Sequence, residues 1–516
     1  MRSDTAAVSL RNVTKTFGPV VANDKVNLEI YRGEILALLG ENGSGKTTLM
    51  NILSGIYYPD AGHVFVDGRE VTIRSPRDVY DLGIGMVHQH FKLVDVLTAA
   101  ENIILGMEGK GKLDLKAVGD RIRGICNQFG FDVNPEQKVY DMSVSQKQTV
   151  EIVKVLYRGA NILILDEPTA VLTPQETQKL FQVLRNLRSD GKAIVIITHK
   201  LYEVEEISDR VAVLRRGQNA GELITKETNA AEMTNRMVGH AVTLNIARPE
   251  PKNPRPRLIV KNLTVKDEDG ITKLNNVSFA VNSGEVLGIA GISGCGQKEL
   301  LEAIAGLQRM ESGSITYVDP ATGKETELAG KDPRAIFSLG VMLSFVPEDR
   351  LGMGLVGNMD LTQNMMLRSF RSGNSIFTDR KAPRKLAHRV VKELDVNTPG
   401  LSVPVRRLSG GNVQKVLVGR EISSSPTVLM TAYAVRGLDI NSSYTIYNLI
   451  NQQKEKGVAV IFVGEDLDVL LELCDKILVL CGGEVSGLLD GRGADKNKVG
   501  MLMTKVGGDE HRETVS

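Results

Sequence analysis

The chain has 516 residues, which is too many for one ordinary hydrophobic core and predicts two to four domains. Its 63 Lys and Arg residues balance 62 Asp and Glu residues, so the charge balance does not predict a nucleic-acid-binding protein. No window offers about 18 consecutive apolar residues and the N-terminal stretch has no apolar signal segment, so we expect a soluble, cytoplasmic protein.

The first motif along the chain is a glycine-rich loop, GENGSGKTT, at residues 40–48. Apolar runs precede and follow it, which predicts the order strand, loop, helix and identifies a Walker A motif. The backbone N–H groups of such a loop surround phosphate oxygens, Lys46 contacts the β- and γ-phosphates, and the Thr47 hydroxyl binds Mg²⁺. The residues predicted here to bind ATP are Gly40, Asn42, Gly43, Gly45, Lys46, Thr47 and Thr48.

Several polar side chains of the first half follow apolar runs. Asp166 and Glu167 follow one such run, and Gln89 and His199 follow two others. The carboxyl ends of strands are where open α/β sheets bind ligands, so we expect these side chains at a nucleotide site. Asp166 suits Mg²⁺, with Gln89 as a further metal ligand, and Glu167 suits activation of the attacking water. Gln89 and His199 are the other candidate catalytic residues.

Phe17 precedes the Walker A strand in the segment KTFGPVVA. An aromatic ring there can stack on adenine, which makes Phe17 a candidate ATP-binding residue. A place in the hydrophobic core is the alternative interpretation.

The sequence contains a tandem repeat. RGEILALLGENGSGKTTLMNILSG, from residue 32, matches SGEVLGIAGISGCGQKELLEAIAG, from residue 283, and MSVSQ at 142–146 matches LSGGN at 408–412. Four prolines between the halves predict a stiff, extended, solvated connector. The predicted boundaries are 1–246 for the first domain, 247–257 for the linker, 258–508 for the second domain and 509–516 for a short disordered tail.

The order of these motifs resembles that of the ATP-binding-cassette ATPases, and LSGGN is a signature that ordinary P-loop kinases and GTPases lack. From about residue 8 to residue 506, the chain resembles the fused double-cassette ATPases of bacterial sugar and nucleoside importers. The resemblance implies an α/β fold of two tandem P-loop NTPase domains, each with an α/β core and a helical subdomain. It also implies ATP and Mg²⁺ as cofactors, and cassettes paired head to tail around each ATP.

The second half departs from the motif set at its Walker motifs. It keeps Gly291, Gly294 and Gly296, but it lacks the lysine, the hydroxyl ligand and both carboxylates, so we expect a degenerate site without hydrolysis. Lys298 could replace the missing lysine from one position along, although its side chain leaves the loop in another direction. The replacing residues are Gln297, Lys298, Ala432, Tyr433, Glu348 at the Gln89 position, Glu465 at the His199 position, and Asp267 and Glu268 near the Phe17 position.

The signature segments show the opposite asymmetry. The second half keeps Ser409, Gly410 and Gly411, and Asp439 follows its Walker B region, so these four residues are predicted to bind ATP. The first half has Ser143, Val144 and Ser145 instead, where close backbone approach is harder. If the Walker motifs of each half pair with the signature segment of the other half, every intact element falls into one hydrolytic site. The damaged elements, including Ser143 and Ser145, fall into the degenerate site.

The resemblance also implies partners and a location. Two integral membrane permease subunits would dock near Gln89 to Phe91 and near Glu348 to Gly352. His88, His90, Phe91 and Lys92 could line the first groove, and a solvated loop is the alternative interpretation of that segment. An extracytoplasmic substrate-binding lipoprotein would act indirectly, no nucleic acid would be bound, and the chain would lie on the cytoplasmic face of the cell membrane.

The cargo suggested by the resemblance is a nucleoside or nucleobase, with simple sugars as the alternative. A remote alternative of another class is a soluble ribosome-associated tandem-cassette ATPase. The short proline-rich linker, the absent second pair of carboxylates and the net charge of +1 disfavour it. A DNA-repair cassette is disfavoured because the four scattered cysteines form no zinc-ligand pattern.

Overall fold

The computed structural model describes residues 5–504, apart from positions 19, 90, 108–113, 171, 240–245, 268, 293, 371–378 and 465. The chain divides into two compact units, Met1–Thr243 and Leu244–Ser516. His90, Glu268, Glu465 and the predicted tail lie outside the described residues.

The predicted connector at 247–257 belongs to the second of these units. Within it, Arg248 donates from Nη1 to the carbonyl oxygens of Leu471 at 2.9 Å and Cys474 at 2.6 Å. The exact domain boundaries and the solvated character of the connector stay predictions.

The first unit alternates strands and helices along the chain. In order, its described strands are β1 (Ala6–Phe17), β2 (Val20–Tyr31), β3 (Ile35–Leu39), β4 (Ala61–Val66), β5 (Arg69–Val71), β6 (Ile84–Val87), β7 (Ile162–Asp166), β8 (Ala193–Thr198), β9 (Arg210–Arg215) and β10 (Gln218–Ile224). Its described helices are α1 (Lys46–Leu53), α2 (Pro76–Asp81), α3 (Ala99–Ile104), α4 (Leu115–Phe129), α5 (Val144–Tyr157), α6 (Pro174–Ser189), α7 (Leu201–Ile207) and α8 (Ala230–Val238).

Two sheets form the frame of this unit. The larger sheet has the order β10-β9-β3-β8-β7-β6, in which only the β9–β10 pair is antiparallel, and the smaller antiparallel sheet has the order β2-β1-β4-β5. Every residue of β3, β7 and β8 is buried, because one core separates the two sheets and a second core lies under the helices. Parallel strands covered on both faces are therefore almost entirely apolar until their carboxyl ends.

Helices α3, α4 and α5 form a separate layer with its own small core, which includes Ile103, Ile122, Val150 and Val153. The amphipathic α4 turns Ile122, Cys126 and Phe129 inward at helical spacing. This layer is the predicted helical subdomain.

The second unit repeats the same elements. Its described strands are β11 (Pro256–Lys266), β12 (Thr272–Asn282), β13 (Val286–Ala290), β14 (Ser312–Val318), β15 (Glu325–Glu327), β16 (Leu343–Val346), β17 (Val428–Ala432), β18 (Ala459–Val463), β19 (Lys476–Cys481) and β20 (Glu484–Asp490). Its described helices are α9 (Gln297–Ile304), α10 (Pro333–Ser338), α11 (Leu361–Met366), α12 (Lys381–Glu393), α13 (Gly410–Ser423), α14 (Ile440–Glu455), α15 (Leu467–Leu473) and α16 (Lys496–Leu502).

The two units share one topology. The sheets of the second unit have the orders β20-β19-β13-β18-β17-β16 and β12-β11-β14-β15, strand for strand those of the first. The predicted fold class of two tandem α/β cassettes is therefore confirmed. Within the part of the chain that the structure describes, none of the helices has the length and apolar character needed to cross a bilayer.

A carboxylate anchors the first residue of the central strand in each unit. Asp475 accepts the backbone N–H of Val286 at 2.8 Å and is paired with Lys454 at 2.6 Å, both side chains being at most 7% exposed. In the first unit, Asp209 pairs with Arg188 at 2.9 Å, but each side chain is about a third exposed (37% and 33%). The same pair is thus buried in one unit and solvated in the other.

We expect Lys454→Met to lower the free energy of unfolding of the second unit by about 3–5 kcal/mol, because it leaves the Asp475 charge buried without a partner. The matched change Arg188→Met should cost the first unit no more than about 1 kcal/mol, because water replaces the lost cation. Hydrogen exchange of peptides containing β13 and β3, measured in rising denaturant, reports each unit separately. Equal costs in the two units would contradict the assignment.

Candidate nucleotide site

The glycine-rich loop of the first unit runs from Gly40 to Gly45 and leads into α1. Gly45 has φ +98°, and a Cβ atom there would lie 2.3 Å from the carbonyl oxygen of Ala22. The buried Asn23 donates from Nδ2 to the Gly45 carbonyl at 3.1 Å. A larger residue at position 45 would have to displace β2, so the neighbouring strand holds the loop in its curve.

Lys46 is the first residue of α1, and its ammonium group lies inside this curve. Its Nζ donates to the carbonyl oxygens of Gly40 at 2.7 Å and Glu41 at 2.9 Å. Burial lowers the pKa of Lys46, and the nearby carboxylates of Glu167, Asp166 and Glu41 oppose that shift. The cation is therefore already placed beside the backbone that would hold phosphate.

The other predicted loop residues are more accessible to solvent. Asn42, Gly43 and Thr47 are exposed and Thr48 is half-buried, with Gly43 at φ +79°. A ligand can therefore approach the outer side of the loop.

Asp166 ends β7 and is only 7% exposed. Burial and then the adjacent charge of Glu167 raise its pKa to about 6, while Lys46 and the hydrogen-bonded Thr47 hydroxyl act in the opposite direction. Such a carboxylate, next to a hydroxyl, fits a hard cation. No group of three or more His, Cys, Asp and Glu side chains in the described ranges could hold a metal. Thr47 and Asp166 are the side chains here that could hold Mg²⁺ together with nucleotide phosphates.

Glu167 is held at both carboxylate oxygens. Gln89 Nε2 donates to its Oε2 at 2.9 Å, and His199 Nδ1 lies 2.9 Å from its Oε1. Burial acts to raise the pKa of Glu167, but the hydrogen bond and charge of His199, with Lys46 and Lys200, hold that pKa below its usual value. Glu167 is therefore an ionised, oriented carboxylate, which is what a general base requires.

The backbone at Glu167 is strained. Its φ is +46°, in the left-handed region, and its N–H donates to the carbonyl of Ile197 at 2.9 Å. A non-glycine residue in this region costs about 1–3 kcal/mol and persists where the surroundings require it. The turn carries the side chain of Glu167 away from the strand end and toward Gln89 and His199.

Phe17 is 43% exposed, so it does not lie in the core. Its ring packs edge to face on Tyr57 with centroids 5.2 Å apart, and Lys15 Nζ lies 5.6 Å from its centroid. An exposed ring with one supported edge suits stacking on a purine.

Two residues that support this site, Tyr57 and Asn23, are not predicted from the sequence. Asn23 carries no local signal, because only the path of β2 beside the loop brings its side chain to Gly45. Tyr57 was detectable only as one more aromatic residue after the Walker A helix.

The second unit keeps the backbone conformation of the loop but lacks the lysine at the position of Lys46. Gly294 and Gly296 have φ +87° and +96°, close to the values of Gly43 and Gly45. Gln297, 3% exposed, takes the place of the lysine and donates from Nε2 to the Ile292 carbonyl at 3.2 Å. Lys298 is 58% exposed at its side chain and lies 3.8 Å from Glu302, one turn along α9. The structure therefore does not place the Lys298 ammonium in the loop.

The Walker B region of the second unit follows the same pattern. Tyr433 has φ +52° and its N–H donates to the Val463 carbonyl at 2.9 Å, which reproduces the backbone of Glu167. Ala432, at the Asp166 position, is buried, and Glu348, at the Gln89 position, is paired with Arg436. The backbone conformation of the Walker B turn is the same in both units, but the second unit has neither of the two carboxylates.

The two signature serines occupy equivalent positions. Ser143 is the N-cap of α5 and accepts from the N–H of Gln146, and Ser409 is the N-cap of α13 and accepts from the N–H of Asn412. Ser145 lies close to Ser143, with 3.2 Å between their hydroxyl oxygens.

In the second unit, Gly410 and Gly411 begin α13 after the Ser409 cap. Asp439 caps α14 by accepting the N–H of Ser442 at 2.8 Å and its hydroxyl at 2.6 Å. The two glycines expose backbone at a helix N-terminus, where an anion can bind.

The sequence is similar to those of known transport proteins. A family model described as "ABC transporter" matches residues 23–170 and 274–431. The guanosine import ATP-binding protein NupO of Bacillus subtilis (strain 168) is 41% identical over 501 residues, covering 96% of this chain and 97% of NupO. The chain belongs to the ATP-binding cassette family of ABC transporters. The nucleoside import ATP-binding protein NupA of Lactococcus lactis subsp. cremoris (strain MG1363) is also 41% identical, over 97% of this chain and 98% of NupA.

The chain is also similar to a sugar import protein and, in fold, to a solved structure of another kind. The glucose import ATP-binding protein TsgD13 of Haloferax volcanii is 40% identical over 97% of this chain and 96% of its own length. Among solved structures, the complex of archaeal ribosomal stalk protein aP1 and ribosome recycling factor aABCE1 matches with a TM-score of 0.60 over 93% of this chain and 90% of the matched chain. At 16% sequence identity, this last likeness concerns the fold alone.

The second cassette also has an apolar groove of about 520 Å³. Phe337, which is 58% exposed, and Met353, 44% exposed, lie on its walls. Glu421, fully buried, lines it together with its ion-pair partners Arg368 and Arg420. The groove includes Gly352, the end of the segment predicted to meet a partner.

We expect Asp166→Asn to stabilise the first cassette when no nucleotide is bound. An acid whose pKa is raised from 3.8 to about 6 on folding destabilises the folded state wherever it is ionised, so the stabilisation is fully present above pH 6. It should reach up to about 3 kcal/mol at pH 8 and fall by about half by pH 5. Denaturant unfolding of both proteins at the two pH values measures it. A stabilisation that grows as the pH falls would contradict the assignment.

Proposed function

We propose that this chain is the ATP-hydrolysing subunit of an importer for nucleosides or nucleobases. The observation that carries the proposal is the ionised Glu167, held by Gln89 and His199 beside the lysine of a glycine-rich loop. This arrangement belongs to a water-activating ATPase site. Only the first of the two homologous cassettes has this arrangement among the described residues.

In the proposed reaction, water attacks the γ-phosphorus while the bond from that phosphorus to the oxygen bridging the β- and γ-phosphates breaks. Glu167 accepts the proton of the attacking water, and its two hydrogen bonds orient it toward that water. Lys46 and the N–H groups of the loop bind the phosphate oxygens. Thr47 and Asp166, with Gln89, would hold Mg²⁺, which neutralises charge on the phosphates. Phe17 is the proposed platform for adenine.

We further propose that Ser409, Gly410, Gly411 and Asp439 complete this site from the second cassette. Crossed pairing collects every intact element in one site, whereas pairing within each half would leave neither site complete. The other site, with Gln297 and Ala432 on one side and Ser143 and Ser145 on the other, would not hydrolyse ATP.

The cargo proposal is supported by the relatives. NupO is a guanosine import protein and NupA a nucleoside import protein, each at 41% identity. Import of simple sugars is the second candidate, because a glucose import protein is 40% identical over a similar share of the chain.

The proposed partners are two membrane permease subunits that carry the cargo path, with an extracytoplasmic binding lipoprotein acting through them. Docking would occur near Gln89 to Phe91 and near Glu348 to Gly352, which places the chain on the cytoplasmic face of the membrane. The apolar groove beside Gly352 supports the second docking position, because exposed rings such as Phe337 suit contact with an apolar helix.

We expect Glu167→Gln to lower ATP turnover by about 10²- to 10⁴-fold while ATP binding persists, because the amide cannot accept the proton. Cells carrying this variant should lose uptake of labelled nucleosides and keep uptake of labelled pentoses and hexoses. Uptake assays run in parallel on both cargo classes are the measurement. Loss of sugar uptake alone would reassign the cargo, and unchanged uptake of both would contradict the transport role.

Crossed pairing predicts unequal effects for two equivalent substitutions. Ser409→Ala and Ser143→Ala each remove a helix N-cap, with a similar structural cost of about 1 kcal/mol. Only Ser409→Ala also removes a hydroxyl that binds phosphate, so turnover should fall about tenfold or more in that variant alone. Steady-state ATP hydrolysis by the two variants tests the difference. A larger loss in Ser143→Ala would overturn crossed pairing.

A further inference from the structure

The outer face of α12 in the second cassette concentrates positive charge. Helix α12 is amphipathic, with Pro383, Ala387 and Val390 buried. At 100° per residue, the basic side chains on its opposite side span an arc of about 140°. All of them are exposed, and in the described part of the chain none of them has an ion-pair partner. This basic face consists of Lys381, Arg384, Lys385, His388, Arg389 and Lys392.

Acidic residues are kept out of the basic face. Glu393 lies just beyond one edge of the arc, and Asp379 precedes the helix, where it accepts the N–H of Lys381 at 2.7 Å. The whole chain has a net charge of only +1, so this density of cations is local rather than part of a general excess.

The equivalent helix of the first cassette, α4, lacks this feature. Its Arg123 pairs with Asp120 and Glu136, each at 3.2 Å. Arg121 stacks over the ring of Tyr157 and donates to its carbonyl. Arg121 and Arg123 of α4 thus have partners, whereas the basic side chains of the α12 face have no ion-pair partner among the described residues, so the topology does not require the basic face.

We propose that the basic face of α12 binds the anionic headgroups of a lipid bilayer. The choice of a membrane rests on the proposed function, which brings the cassettes to the membrane surface. Long Lys and Arg side chains on one exposed arc can reach phosphate groups in a plane, and such clusters bind acidic lipids. This contact would hold the second cassette by its helical layer, independently of any docking groove.

The composition of the face favours lipid over RNA. Proteins that bind single-stranded nucleic acid combine basic residues with aromatic side chains on which bases stack. The arc contains no Phe, Tyr or Trp. Phosphate contact without base stacking is what a headgroup layer offers.

The test is co-sedimentation of the full chain with vesicles of phosphatidylcholine alone and of phosphatidylcholine mixed with phosphatidylglycerol. At about 0.1 M salt, where the Debye length is about 10 Å, we expect binding to the anionic vesicles only, and loss of that binding at about 1 M salt. The variant Arg384→Gln, Lys385→Gln, Arg389→Gln should partition about a hundredfold more weakly, at roughly fivefold for each residue removed.

The matched control removes three exposed basic residues elsewhere on the second cassette: Lys324→Gln, Arg334→Gln, Lys456→Gln. It should bind anionic vesicles like the parent protein. Equal loss in both variants, or binding to polyuridylate but not to vesicles, would overturn the proposal. ATP turnover of each variant is measured alongside, because retained turnover with lost vesicle binding separates this contact from the proposed ATPase function.

Discussion

The register of three parallel strands decides where the chemistry of this protein occurs. In the first cassette Leu39 pairs with Thr198, and Asp166 pairs with Ile197, so β3, β8 and β7 end at one edge of the sheet. The strands are buried on both faces, so their polar residues can emerge only at that edge. Side chains more than a hundred residues apart in sequence meet there.

Different neighbours give two adjacent, buried carboxylates different properties. Burial and then the charge of Glu167 raise the pKa of Asp166 to about 6, whereas His199 and two lysines outweigh burial and hold the pKa of Glu167 low. Asp166 therefore suits binding of a cation, whose charge would offset the cost of burying the carboxylate. Glu167 suits acceptance of a proton. A single residue step along the chain separates these roles, because the left-handed turn at Glu167 points its side chain into different surroundings.

The duplicated cassette shows that conformation and chemistry are separable. Tyr433 keeps the left-handed turn of Glu167, and Gln297 keeps a donor to the loop carbonyls where Lys46 had one. Backbone hydrogen bonds and glycine positions therefore keep the same shape in both cassettes although the side-chain chemistry differs. The second cassette lacks the charged residues of the first site but has charged groups at other positions, including the Glu348–Arg436 pair and the basic face of α12.

The tandem α/β fold, both glycine-rich loops and the identity of the residues around Glu167 could be predicted from the sequence, because glycine spacing and apolar runs ending in polar residues are local patterns. The sequence did not reveal Asn23 and Tyr57, the ion pair of Lys298 with Glu302, or the contrast between the buried Lys454–Asp475 pair and its solvated counterpart. These depend on which elements pack against each other. Only the tertiary structure decides that, because burial and hydrogen-bond partners come from residues distant in sequence.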